Sequence, residues 1–277
     1  MNFATQTHNT ELRTRVFSAV VLGVAALTAL WSGTVAFAAL CLILALAMCW
    51  EWGRAVRGTG YDPGMLLHGG SVISAAALLL FHQPAVALVL LVVGAVATAA
   101  VCFAHRGVIS GLGVLYVGLP VLALIRLRQD EEYGFFAVLL VLAVVWSHDT
   151  FAMLVGRTIG GPKIWPLLTP NKTWAGVAGG LVASSFAGSI FAITIPEANI
   201  ASLAIIGLVL GLAGFFGDLL ESAFKRTYGL KNASNIIPGH GGVMDRLDGV
   251  VLAAPVGLAI GLMINYQSPA RALIFWF

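Results

Sequence analysis

The sequence predicts an all-α, polytopic integral membrane protein with about nine transmembrane helices and no sizeable soluble domain. Of its 277 residues, 59% are hydrophobic and only 10% are charged. The mean hydropathy is +0.95. Apolar runs of seventeen or more residues recur along the chain, a composition well outside that of water-soluble domains. The hydrocarbon core takes about 20 apolar residues per helix and admits no open sheet edge, so nearly all of the structure is expected to be helical.

In chain order, the first span is expected at roughly 14–31. Arg13 and Arg15 stand ahead of its apolar stretch as they would in a secretory leader, but no small-residue cleavage site follows, and an uncleaved helix is expected. The second covers 34–50 and ends ahead of Arg54 and Arg57. The third, 65–81, and the fourth, 83–104, are divided only by His82, Gln83 and Pro84. The fifth, 108–126, ends at the basic pair Arg126 and Arg128, and the sixth, 134–155, follows the acidic run Asp130, Glu131, Glu132. The seventh, eighth and ninth, at 173–195, 200–226 and 246–265, alternate with the most polar stretches of the chain.

Orientation follows from the basic residues, because cytoplasmic loops retain positive charge. With the N-terminus inside, twelve of the fifteen Lys and Arg become cytoplasmic; only Arg126, Arg128 and Arg271 fall outside. The net charge is a mere +3, and no nucleic-acid partner is expected. Cys41, Cys49 and Cys102 lie in predicted spans, without a CxxC or a His at ligand spacing, so neither a disulfide framework nor a zinc site is expected. The polarity is uneven. Residues 1–130 read as helices for membrane embedding and dimer contacts, and 131–277 as the catalytic region, with charge gathered in 149–249.

Two stretches carry the chemistry. In "GLAGFFGDLLESAFKRTYGLK", at about 100° per residue, Asp218, Ser222 and Lys225 share roughly 60° of arc, with Glu221 and Arg226 flanking them. An ionised Asp in a span requires a cation, a partner or water. Pairing of Asp218 with Lys225 or Arg226 would suffice and would leave the stripe as a mere exit from the membrane. The stretch "IIPGHGGVMDRLDG" argues for more. Pro238, Gly239, Gly241 and Gly242 form a loop whose N–H groups can point at an anion, although a tight turn alone would use the same residues. Asp245 and Asp248 follow at i, i+3, at the start of a helix whose dipole favours them, with Arg246 between. Two or three of Asp218, Asp245 and Asp248 could converge on one divalent cation. Oxygen ligands without Cys or His select Mg²⁺, or less often Ca²⁺ or Mn²⁺. Lys225, Arg226 and Lys231 beside such an ion suggest a phosphate substrate and a phosphoryl or nucleotidyl transfer. His240 could serve as a base, as a phosphate donor or simply as a loop residue, and His148 reads as structural or interfacial.

A second cluster, "SHDTFAMLVGRTIGGPKIWPLLTPNKTWAG", holds Asp149 and Arg157 two turns apart. Lys163, Lys172 and Thr173 could contact phosphates, and Trp165 and Trp174 suit the membrane interface.

At these residues the chain resembles the phosphatidate cytidylyltransferases, also called CDP-diacylglycerol synthases. Their signature runs Ser-x-x-Lys-Arg, then Lys-Asp, then Pro-Gly-His-Gly-Gly-x-x-Asp-Arg-x-Asp. It is matched here by Ser222, Lys225, Arg226, Lys231, Pro238, Gly239, His240, Gly241, Gly242, Asp245, Arg246 and Asp248. Asp149, Thr150, Gly156, Arg157 and the run from Lys172 to Trp174 match the family's upstream elements. Asn232 and Ala175 stand where the family usually has acids. The resemblance implies that CTP and phosphatidate give CDP-diacylglycerol and pyrophosphate with Mg²⁺, a second, monovalent cation such as K⁺ being a further expectation. It also implies a homodimer, a bacterial cytoplasmic (inner) membrane and a site facing the cytoplasm. With that resemblance Asp218, Asp245, Lys225 and Arg226 would be catalytic, and Asp218, Asp245 and Asp248 would hold metal. Ser222, Lys231, His240, Gly241, Gly242, Arg246, Lys172, Thr173 and Arg157 would bind substrate phosphates. A CTP-dependent lipid kinase would need similar residues. An ion-coupled transporter could also use an intramembrane Asp and Lys, although no repeat between the halves supports it.

Overall fold

The computed structural model describes residues 18–239 and 241–276. His240, Arg13, Arg15 and the start of the first span lie outside the described residues. A helix described from Ser18 to Trp31 (α1) is followed by α2 (Thr34–Arg57), α3 (Pro63–Leu80), α4 (Pro84–Val101), a 3₁₀ turn at Phe103–His105, α5 (Gly107–Arg128) and α6 (Gly134–Thr158). Then come β1 (Lys163–Trp165), β2 (Thr169–Thr173), α7 (Trp174–Thr194), α8 (Ile200–Thr227), α9 (Met244–Ile264) and α10 (Pro269–Phe275). Eight of these helices, α2 to α9, are long and apolar enough to cross a membrane.

The spans from the second to the ninth therefore appear close to their expected bounds. The main exception is α2, which runs on to Arg57. Gly58 stops it at φ 77°, a left-handed position that glycine occupies without strain. The next helix begins where Asp62 accepts a 2.8 Å hydrogen bond from the Met65 N–H, with Pro63 in the first turn. Two elements were not expected. The loop after α6 folds into an antiparallel hairpin, β1 on β2, with Lys163 opposite Thr173 and Trp165 opposite Thr169. Beyond α9, α10 is held by Arg126, which donates to the carbonyls of Tyr266 and Gln267 at 3.1 Å, and by a Ser268–Asp130 hydrogen bond.

The packing groups residues differently from a division at 130. One unit joins the described part of Met1–Gly118 with Tyr228–Leu247; the other joins Leu119–Thr227 with Asp248–Phe277. In the first, α3 packs on α2 and on α4 around Phe37, Met48, Trp52, Val72, Leu79 and Leu91. Trp52 donates to the Ile109 carbonyl at 3.1 Å and lies 5.0 Å, ring to ring, from Tyr116. In the second, α6, α7 and α8 pack on one another, and α10 packs on α6 and α8. Lipid gives helices no hydrophobic reason to associate, so close backbone approach carries much of the attraction. Small residues supply it: Gly207 lies against the Ser184 carbonyl, and Gly156 and Gly176 face each other across α6 and α7. Val182, Phe186, Ile193 and Met263 are among the large apolar side chains left exposed, as helix faces toward acyl chains require. Cys41, Cys49 and Cys102 are free and buried.

Candidate active site

Within the second unit, α8 brings its polar stripe up to Asp248 of α9. The approach is set by glycine: a Cβ on Gly217 would run into the main-chain oxygen of Asp248, and Gly214 faces Gly249. With no side chains between the backbones, Asp218, Glu221 and Asp248 converge, each offering a carboxylate oxygen within 4.8 Å of the others. Glu221 is fully buried, and Asp218 and Asp248 are half-buried.

Two ammonium groups stand at this cluster. Lys172, at the end of β2, forms an ion pair with Asp218 and lies 5.3 Å from the Phe215 ring centre. Lys225 pairs with Glu221 at 2.5 Å, one turn along α8. Ser222 donates to Asp218 Oδ1 at 3.3 Å, and Arg226 donates to the Leu168 carbonyl at 3.4 Å. The stripe read from helical periodicity is thus present. Asp218, however, takes its cation from β2, while Lys225 goes to Glu221, which the sequence marks only as a flanking residue. Three oxygen donors with no Cys or His suit a hard cation such as Mg²⁺, and the flanking ammonium groups suit phosphate oxygens.

Other expected residues are placed more diversely. Thr173 is buried and caps α7, accepting from the Gly176 N–H at 3.1 Å. Arg157 is exposed in the last turn of α6, and Asp149 is exposed on the same helix. His148 is buried beside Gly180 and 6.2 Å from the Phe215 ring, which fits its structural reading.

The glycine-rich loop belongs to the first unit. Asp245 does not join the converging trio. Its Oδ2 is turned onto the loop, accepting from the N–H groups of Gly242 (2.8 Å) and Ala233 (2.9 Å). Gly241 has φ 90° and its Cβ position faces Asp245 Oδ2, so only glycine fits there. Gly239 is also left-handed, at φ 76°. Lys231 and Arg246 are exposed at the two ends of the segment. The carboxylate that sequence reasoning missed here is Glu51, fully buried on α2. It accepts from Ser234, from the Val243 N–H at 2.9 Å and from the Met244 N–H at 2.8 Å.

Comparison with known proteins identifies the family. The sequence matches the Cytidylyltransferase family over residues 13–263. It is 34% identical to a phosphatidate cytidylyltransferase of Brucella abortus, across 96% of this chain and 99% of that one. It is also 39% identical to the Bacillus subtilis enzyme of the same name over 52% of this chain and 54% of that protein. The Rickettsia bellii one is 39% identical over 52% of this chain and 65% of its own.

Proposed function

The chain belongs to the cytidylyltransferase family, and we propose that it transfers a cytidylyl group from CTP to phosphatidate, making CDP-diacylglycerol and pyrophosphate for phospholipid synthesis. The observation that carries this reading is the carboxylate trio Asp218, Glu221 and Asp248 with Lys172 and Lys225 beside it, in a chain whose relatives bear that name.

A phosphatidate phosphate oxygen attacks the α-phosphorus of CTP. The new P–O bond forms there as the bond from the α-phosphorus to the bridging oxygen breaks, and pyrophosphate leaves with that electron pair. The nucleophile is already an oxyanion, so no residue has to act as a base. Asp218, Glu221 and Asp248 would hold Mg²⁺, which supplies Lewis-acid polarisation at the phosphates. Lys172 and Lys225 orient phosphate oxygens and offset charge gathered in the transition state. Arg226, Lys231, Arg157 and Arg246 draw the anionic substrates, while the N–H groups of Gly241 and Gly242 are engaged within their own loop by the Ile237 carbonyl and Asp245. Ser222 orients Asp218. A second, monovalent cation such as K⁺, a homodimer, and an inner bacterial membrane with the N-terminus and site toward the cytoplasm complete the proposal. The positive-inside distribution of Lys and Arg supports that orientation.

The test is the purified protein in detergent with phosphatidate, Mg²⁺ and CTP labelled in the cytidine. Labelled CDP-lipid together with pyrophosphate is expected. Labelled CDP with no pyrophosphate would mean a lipid kinase. Solute flux in proteoliposomes without turnover of CTP would mean a transporter.

A further inference from the structure

Glu51 sits in the membrane helix α2 with none of its surface exposed. A carboxylate is costly there unless hydrogen-bond donors surround it. Three do: the Ser234 hydroxyl and the N–H groups of Val243 and Met244. Those two N–H groups open α9, whose first residue is Met244. A helix start has unpartnered N–H groups, ordinarily met by a Ser, Thr, Asp or Asn at the cap. Here the cap position is Val243, which has no acceptor in its side chain. The missing acceptor arrives from a segment 192 residues away.

Neighbouring features fit this role. Arg54, one turn along α2, donates to the Ala233 carbonyl at 3.2 Å, so α2 grips both ends of the glycine-rich segment. Ser234 Oγ also accepts from the Ile236 N–H at 3.2 Å. A Cβ on Gly242 would strike Glu51 Oε1 and lie 3.0 Å from the Ser234 nitrogen, which explains a glycine at that position.

We propose that Glu51 is a positioning residue, the cap of α9 supplied by α2 of the same chain, and that it fixes the helix start carrying Asp245 and the loop Asp245 closes. The effect on turnover rests on the function proposed above; the cap itself does not.

The experiment compares wild type, Glu51→Gln and Glu51→Asp in detergent. It reads steady-state kinetics alongside hydrogen exchange of the peptides covering 233–244. Gln keeps the shape but replaces one acceptor by an NH₂ that faces a backbone N–H. It should lower kcat about tenfold, with KM for CTP within about threefold, and should speed exchange at 241–244. Asp keeps the charge on a shorter arm and should recover part of both losses. Wild-type kcat together with unchanged exchange in Glu51→Gln would overturn the proposal. If Glu51→Gln does not fold, Ser234→Ala takes its place. It removes one donor and should lower kcat about threefold, with faster exchange at 233–236; wild-type values for both would again overturn it. A wild type that forms no CDP-lipid refutes the proposed function, while the exchange data still decide the cap.

Discussion

Gly217 stands against the main-chain carbonyl of Asp248, closer than any Cβ could be accommodated. This contact lets two transmembrane backbones approach until a carboxylate on each meets the other. Gly217→Ala should therefore separate α8 from α9. Overpacking of this kind costs about 1–3 kcal/mol, so a lower unfolding temperature in detergent and at least a tenfold fall in kcat/KM are expected. A thermal shift scan and initial rates would check both. An alanine variant as stable and active as wild type would show that the backbones can part without consequence.

Glu221→Gln should raise the Mg²⁺ concentration for half-maximal activity by one to two orders of magnitude, as should Asp248→Asn and Asp218→Asn. Glu221 is the informative one, since structure rather than sequence places it in the trio. A Mg²⁺ titration of initial rate reads the shift directly; a Glu221→Gln curve lying on the wild-type curve would remove Glu221 from the ligand set.

Lys172 forms an ion pair with Asp218 and would compete there with a bound cation. Lys172→Met should lower kcat about 10²-fold through lost phosphate orientation, yet reduce the Mg²⁺ needed for half-maximal rate. The opposite signs of the two effects distinguish Lys172 from the carboxylates. A variant needing more Mg²⁺ would contradict the competition.

Asp245→Ala removes the acceptor for two loop N–H groups. Loss of this part-buried acceptor leaves two donors to water or unsatisfied, at up to about 1–3 kcal/mol each, and a fall in kcat of about 10²-fold is expected. Asp245→Asn, which can still accept through its amide oxygen, should retain more activity than Ala. Equal losses in the two variants would point to a need for the charge itself.

Most of the helical plan was legible in the sequence, because a span in lipid announces itself by length and hydropathy alone. The hairpin and α10 were not. Lys163–Trp165 and Thr169–Thr173 are too short to show a period, and α10 depends on Arg126 and Asp130 reaching it from elsewhere in the chain. The site was legible in kind. Helical spacing sets Asp218, Ser222 and Lys225 on one stripe, but spacing says nothing of partners across elements: it offers Lys225 or Arg226 to Asp218 and Lys172 to phosphate alone, whereas Lys172 pairs with Asp218 and Lys225 with Glu221. Glu51 was invisible for the same reason. A single acid near the end of an apolar run, with Arg54 one turn further on, carries no sign that its donors lie far along the chain.

The bond from Glu51 to Val243 also has a history in synthesis. At translation rates of about 5–20 residues per second, the 192 residues between them take roughly 10–40 s to emerge. For that interval α2 holds an acid whose donors do not yet exist. The nascent chain must shelter it with water, a proton or the insertion machinery, and a product truncated ahead of residue 243 never relieves it.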